Sequence, residues 1–101
     1  MTIQISQYAR NDLIEGYFFY EQSQEGLGDY FLASLYSDIE ALRIYGGIHA
    51  KAHNAYHRAL SKSFPYAIYY TVEKGKVHIQ AVLDSRRNPA WIRRSLRERH
   101  K

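Results

Sequence analysis

Tyr66-Ala67-Ile68-Tyr69-Tyr70-Thr71-Val72, then Glu73-Lys74-Gly75-Lys76, then Val77-His78-Ile79-Gln80-Ala81-Val82-Leu83-Asp84: the fold turns on this stretch. Two runs rich in β-branched and aromatic residues flank a polar turn with Gly where a positive φ is wanted, which is the pattern of a β-hairpin. Alternation in the first run puts Tyr66, Ile68 and Tyr70 on the core face and Tyr69 on the other. In the second run it groups Val77, Ile79, Ala81 and Leu83 on the face expected to meet the helices. His78, Gln80, Val82 and Asp84 then lie opposite.

Working outward, residues 56–60 show a looser alternation and read as a strand entered from a loop that begins at Ile48. Further upstream, Ile3 and Ile5 alternate with polar neighbours as a short strand, and Ser6 can cap a helix. From Tyr8 to about Ser23, Ala9, Leu13, Tyr17 and Tyr20 recur at helical spacing. Gly16 interrupts that stripe at a cost of up to about 1 kcal/mol, which close packing against it would offset. Glu25-Gly26-Leu27-Gly28-Asp29 is a turn in which Gly26 or Gly28 supplies the unusual backbone angle. Phe31, Leu35, Ile39 and Leu42 then continue a second helix to Gly46-Gly47. Downstream, Asp84-Ser85-Arg86-Arg87-Asn88-Pro89 breaks the strand, and a short basic helix from Pro89 to His100 presents Trp91, Ile92 and Leu96. Strands and helices are segregated, so the expected class is α+β: an antiparallel sheet packed on an N-terminal helical hairpin, with a short C-terminal helix.

Residues 1–101 suit one domain, since a single core usually organises about 100–150 residues. Hydrophobic residues at 46% and charged residues at 24% are globular usage and exclude a disordered tail. A net charge of +4 suits an acidic partner. With no cysteine there is no disulfide framework, thiolate nucleophile or cysteine metal site, and a cytoplasmic protein is expected. The first residues lack a signal-peptide pattern, and no run approaches the roughly 20 apolar residues of a membrane span, so no membrane partner is expected. Gly26-Leu27-Gly28 lacks the context of a dinucleotide loop and there is no phosphate loop, so no cofactor is expected. Ten Tyr in so small a chain are too many to bury cheaply, because each buried hydroxyl needs a hydrogen-bond partner. Part of that aromatic surface is expected to meet a partner.

Three segments in order carry a resemblance: Gly26-Leu27-Gly28-Asp29-Tyr30-Phe31; Arg58-Ala59-Leu60 followed by Phe64-Pro65-Tyr66-Ala67-Ile68-Tyr69-Tyr70; and Ala81-Val82-Leu83-Asp84-Ser85-Arg86-Arg87-Asn88-Pro89. With these the chain resembles, from Ser6 to Trp91, the RelE/ParE superfamily of bacterial toxins, and within it the ParE-like plasmid stabilisation proteins. The resemblance implies the toxin of a type II toxin–antitoxin pair, neutralised by a cognate antitoxin encoded beside it. ParE-like members inhibit DNA gyrase by binding, whereas RelE-like members cut messenger RNA on the ribosome. Matched to the ribonuclease positions, this chain has His57 and Ala59 on the strand before the hairpin, Ala67 in the hairpin, Arg86 after the last strand and Trp91 near a Tyr position. Only Arg86 is retained. Ala59 and Ala67 can neither move a proton nor stabilise a phosphorane, so binding is favoured over catalysis.

The ribosome-dependent mRNA endoribonuclease stays as the alternative, with His57 as base, Asp84 as its orienter and Arg86 as phosphate clamp. A degenerate toxin that only binds antitoxin is a further one. For this set the resemblance places the face shared by His57 and Ala59 on the open side of the sheet. Arg58 would share the inward face with Tyr56 and Leu60 and need a carboxylate there. Tyr69, Arg86, Arg87 and Trp91 are the candidates for target or partner binding. Arg93, Arg94, Arg97, Arg99 and Lys101 extend the basic segment, whose plain reading is a solvated helix face. Leu13, Tyr17, Phe31 and Leu35 are candidates to line part of an antitoxin groove. His49, His53 and His57 recur every fourth residue but lack a supporting carboxylate, so no metal is expected.

Overall fold

The computed structural model describes residues 1–52 and 55–99. The hairpin forms as β4 (Tyr66–Glu73) and β5 (Lys76–Asp84), antiparallel, with Gly75 at φ +77° in the turn. β3 (Tyr56–Leu60) pairs antiparallel with β4, and a two-residue strand, β2 (Lys51–Ala52), extends the sheet beyond it. On the other side β1 (Thr2–Ile5) lies parallel to β5, Ile5 opposite Ile79, giving the order β1-β5-β4-β3-β2. Ser6 caps α1 (Gln7–Ser23) by accepting the Ala9 N–H at 3.1 Å.

The turn after α1 takes its positive φ of +88° at Gly26, which leads into α2 (Leu27–Glu40). The Glu21 carboxylate bends back to accept the N–H groups of Gly26 and Gly28, filling the otherwise unsatisfied start of α2. Gly28 allows close approach of the two helices, since a Cβ there would stand 2.8 Å from the Tyr17 carbonyl oxygen. At Gly16 the neighbour is a ring rather than a backbone: a Cβ would meet Phe31 Cζ at 2.5 Å. The apolar stripe that reads as continuous to Gly46 is broken at Ala41, after which α3 (Leu42–Tyr45) adds one turn. α4 (Pro89–Arg99) follows β5; the expected end at His100 lies outside the described residues.

Helices cover both faces of the sheet. The α1/α2 hairpin packs Ala9, Leu13, Phe31, Leu35 and Ile39 against Ala59, Ile68, Tyr70, Val77, Ile79 and Val82. On the opposite face α4 lays Ile92 and Leu96 over Tyr56, Ala67, Tyr69, Ala81 and Leu83.

Strict alternation in β5 is therefore corrected. Tyr69 pairs with Ala81 and Tyr70 with Ile79, so Gln80 is an extra residue and the strand changes faces there. Val77 and Ile79 meet the helical hairpin as expected, Val82 joins them, and Ala81 and Leu83 turn to α4. The bulge is held from the side by two polar groups of the α1 segment. Ser6 Oγ donates to the Gln80 carbonyl at 3.3 Å, and Asp12 Oδ2 accepts the Val82 N–H at 2.9 Å.

Candidate functional site

β1 reaches only as far as Ile79, because Ser6 turns the chain into α1. Among the described residues no strand pairs with the last third of β5 on this side, which is walled by α1 on one face and α4 on the other and bonded by Asp12 at Val82. Between the walls is a cleft of roughly 590 Å³, lined by Tyr8, Glu15, Phe19, Leu83, Arg87 and Trp91 among others. At its inner end Asp12, only 8% exposed, receives Arg99 through two guanidinium nitrogens at 2.6 and 2.9 Å, in addition to the Val82 amide. This pair joins α1 to α4 across the edge. A carboxylate that takes three donors, one from β5 and two from α4, is a structural latch between these elements and α1.

At the outer end Asp84 accepts from Arg86 through Nε at 3.0 Å and Nη2 at 2.8 Å, and from the Arg86 backbone N–H at 2.9 Å. Hydrogen bonding by the Arg86 side chain, against some burial, holds the Asp84 carboxyl below its ordinary value. Arg87 lies flat over Trp91, its Cζ 3.8 Å from the ring centroid. Burial, reinforced by Tyr20 and Asp84, pushes the Tyr66 hydroxyl up to about 12, so it stays protonated at neutral pH. Arg86, Arg87 and Trp91 are thereby brought to one end of the sheet.

Tyr69 is not with them at the surface. It is 1% exposed beneath α4, where its hydroxyl accepts from Arg58 Nε at 3.2 Å. Arg58 is on that same face and finds a phenol where a carboxylate was expected. His57 and Ala59 lie on the helical-hairpin face, correcting their expected place on the open side of the sheet. The His57 ring stacks on Tyr70 at 5.0 Å, and its Nδ1 is 2.6 Å from the His49 carbonyl oxygen.

Register keeps His57 from Asp84. His57 is opposite Tyr70, and Asp84 is opposite Tyr66 two strands away. Four residues along and two strands across amount to about 16 Å, so His57, Asp84 and Arg86 do not converge. Leu13, Phe31 and Leu35 are in the core, and Tyr17 is half-buried between the helices.

Of the histidine triplet, His49 and His57 flank Tyr70, while His53 lies outside the described residues. No group of three metal-ligating side chains occurs among the described residues. The Tyr70 hydroxyl accepts from the Gly47 N–H at 3.0 Å and is 2.6 Å from His49 Nδ1. Burial, then the charge of His57, holds His49 below its ordinary imidazole value. Tyr8, Tyr30, Tyr36 and Tyr45 stay exposed, as do Phe18 and Phe19. Sequence reading did not single out Asp12, and it left Arg99 in the solvated basic segment. Its available signal was a carboxylate one turn from the buried Ala9 and next to Leu13, beside the apolar stripe.

No protein-family model matches the chain. No curated protein matches it. Among solved structures it is similar to a chain of the chromosomal ParDE TA system from P. aeruginosa, with a TM-score of 0.70 over 81% of this chain and 92% of that one. Identity is 14%, so the likeness is one of fold. Among the described residues no helix is long and apolar enough to cross a membrane.

Proposed function

We propose that this chain is the toxin of a type II toxin–antitoxin pair, held inactive by a cognate antitoxin, and that it acts by binding a cellular target, DNA gyrase first among them. The observation that carries the reading is the fold, similar over 81% of the chain to that of a ParDE system chain. Two features favour binding over RNA cleavage. Asp84 is engaged by Arg86 rather than by a histidine, and Ala59 and Ala67 are buried and chemically inert. The exposed Arg86 and Arg87, with Trp91 beneath the latter, form a cationic and aromatic surface suited to an acidic protein contact.

The test is induction of the chain alone and together with the product of the adjoining small gene. Alone it arrests growth, leaves messages intact by primer extension and alters plasmid supercoiling; together growth is restored. Codon-phased cleavage of messages would replace the gyrase reading with the ribonuclease one. Unaffected growth would refute toxin activity by either route.

A further inference from the structure

Charge is divided between the two sides of the sheet. Residues 7–40, which form the α1/α2 hairpin on one face, carry seven carboxylates against a single basic side chain, Arg10. Residues 84–99, which end β5 and form α4 on the other face, carry six arginines against two carboxylates. Three of those arginines are engaged: Arg86 with Asp84, Arg99 with Asp12, and Arg87 over the Trp91 ring. Arg93, Arg94 and Arg97 are exposed and have no ion-pair partner among the described residues; Glu98, the one carboxylate of α4, does not pair with them.

Their placement is regular. At 3.6 residues per turn the three side chains fall within about 100° of the helix circumference, on the side away from the buried Ile92 and Leu96. Helix neighbours three and four apart have Cβ atoms about 5–6 Å from each other, so three positive charges stand close together without internal compensation. The face offers little else to bind with. Among the described residues the exposed large apolar side chains all belong to residues 1–60, so a protein partner finds no apolar anchor here. Trp91, the aromatic residue of α4, is half-buried in the cleft beside β5 with Arg87 over its ring, so unpaired bases find no free ring on the outer face to stack on.

What remains is attraction for a dense row of phosphates, which duplex DNA supplies at one charge per about 1.7 Å of its axis. A helix of about 10–12 Å diameter matches the roughly 12 Å major groove of B-form DNA, whereas the major groove of A-form RNA is too deep and narrow for side chains. We propose that the outer face of α4 docks on double-stranded DNA, with Arg93, Arg94 and Arg97 each taking a backbone phosphate at the mouth of the major groove without reading sequence. The acidic hairpin, on the far side of the sheet, is repelled by the DNA and points away from it. This surface uses different side chains from the contact at Arg86, Arg87 and Trp91, and it does not depend on the toxin reading.

The experiment uses the purified full chain alone and a labelled DNA duplex of about 24 base pairs of arbitrary sequence, with binding followed by fluorescence anisotropy. Three phosphate contacts give a slope of about −2.7 in log K against log salt concentration, an affinity loss of about 40-fold between about 50 and 200 mM. Arg93→Ala, Arg94→Ala and Arg97→Ala, checked for folding by circular dichroism, each reduce that slope by about 0.9 and weaken binding at about 50 mM salt at least fivefold. Arg10→Ala removes the same charge from the opposite side of the sheet and changes binding less than twofold. A loss with Arg10→Ala equal to those of the α4 variants would reduce the effect to net charge and overturn the proposal. Tighter binding to single-stranded DNA or to duplex RNA of the same length overturns duplex DNA as the occupant. Absence of binding at about 100 µM chain and about 50 mM salt leaves α4 a solvated basic face and likewise overturns it. Growth arrest is measured separately, so a chain that binds DNA without arresting growth refutes the toxin reading alone.

Discussion

Replacing Asp12 by Ala removes three hydrogen bonds at once, one from the Val82 amide and two from Arg99. Breaking a buried pair by deleting one partner costs about 3–5 kcal/mol when the remaining charge cannot reach water. Arg99 is 15% exposed and ends its helix, so it can swing outward, and most of that penalty is avoided. What remains is the loss of hydrogen bonds to a charged group, about 1.5–3 kcal/mol, and a bulge amide with only partial access to solvent, about 1 kcal/mol. Ala is the better helix former by up to about 0.7 kcal/mol, which offsets part of this. The expected destabilisation is therefore about 2–3 kcal/mol, equivalent to a fall in Tm of at least about 8 °C for a domain of this size. Urea denaturation of wild type, Asp12→Ala, Arg99→Ala and the double variant measures it as a cycle. Because the side chains share bonds, the double variant should cost at least about 1 kcal/mol less than the sum of the single ones. Additive costs, or an Asp12→Ala cost under about 0.5 kcal/mol, would refute the latch.

Gly16→Ala forces a methyl group into the buried Phe31 ring and should destabilise by about 1–3 kcal/mol despite its better helix propensity, read from denaturation midpoints. His49 is held below its ordinary value, so the unfolded chain binds the proton first. Stability is present above about pH 6.5 and is lost as pH falls toward the folded value, so Tm should be lower at pH 5.5 than at 7.5. Replacing His49 with Gln should shrink that difference. Arg86→Ala with Arg87→Ala removes exposed charges, so each should move stability by less than about 1 kcal/mol while growth arrest is relieved. Retained arrest with an intact fold would remove both residues from the contact.

Elements whose burial follows one period were legible from the residues. The α1/α2 hairpin, β3, the β4/β5 hairpin and α4 all come from local patterns of apolar spacing, capping and turn chemistry. The faces of β5 beyond Ile79 were not, because the bulge at Gln80 is imposed by Ser6 and Asp12, far away in sequence. Tyr69 illustrates the other limit. Alternation assigned it to the face away from Tyr70, but only the tertiary arrangement shows that α4 roofs that face. Of the candidate site, Arg86, Arg87 and Trp91 were readable as a charged and aromatic strand end. The cleft beside them was not, since it exists only because β1 stops short of Val82.

The Asp12–Arg99 pair also bears on the order in which the sheet can gain its two coverings during synthesis. The two residues are 87 positions apart, so at about 5–20 residues per second Asp12 waits roughly 4–17 s for its partner to be made. Leu83 precedes Arg99 by 16 residues, so for about 1–3 s at the end of that wait the finished strands lack one of their two coverings, with Tyr56, Tyr69 and Leu83 accessible to any nearby apolar surface. The nascent protein is consequently most vulnerable to misassociation, and most open to early capture, just before α4 leaves the ribosome.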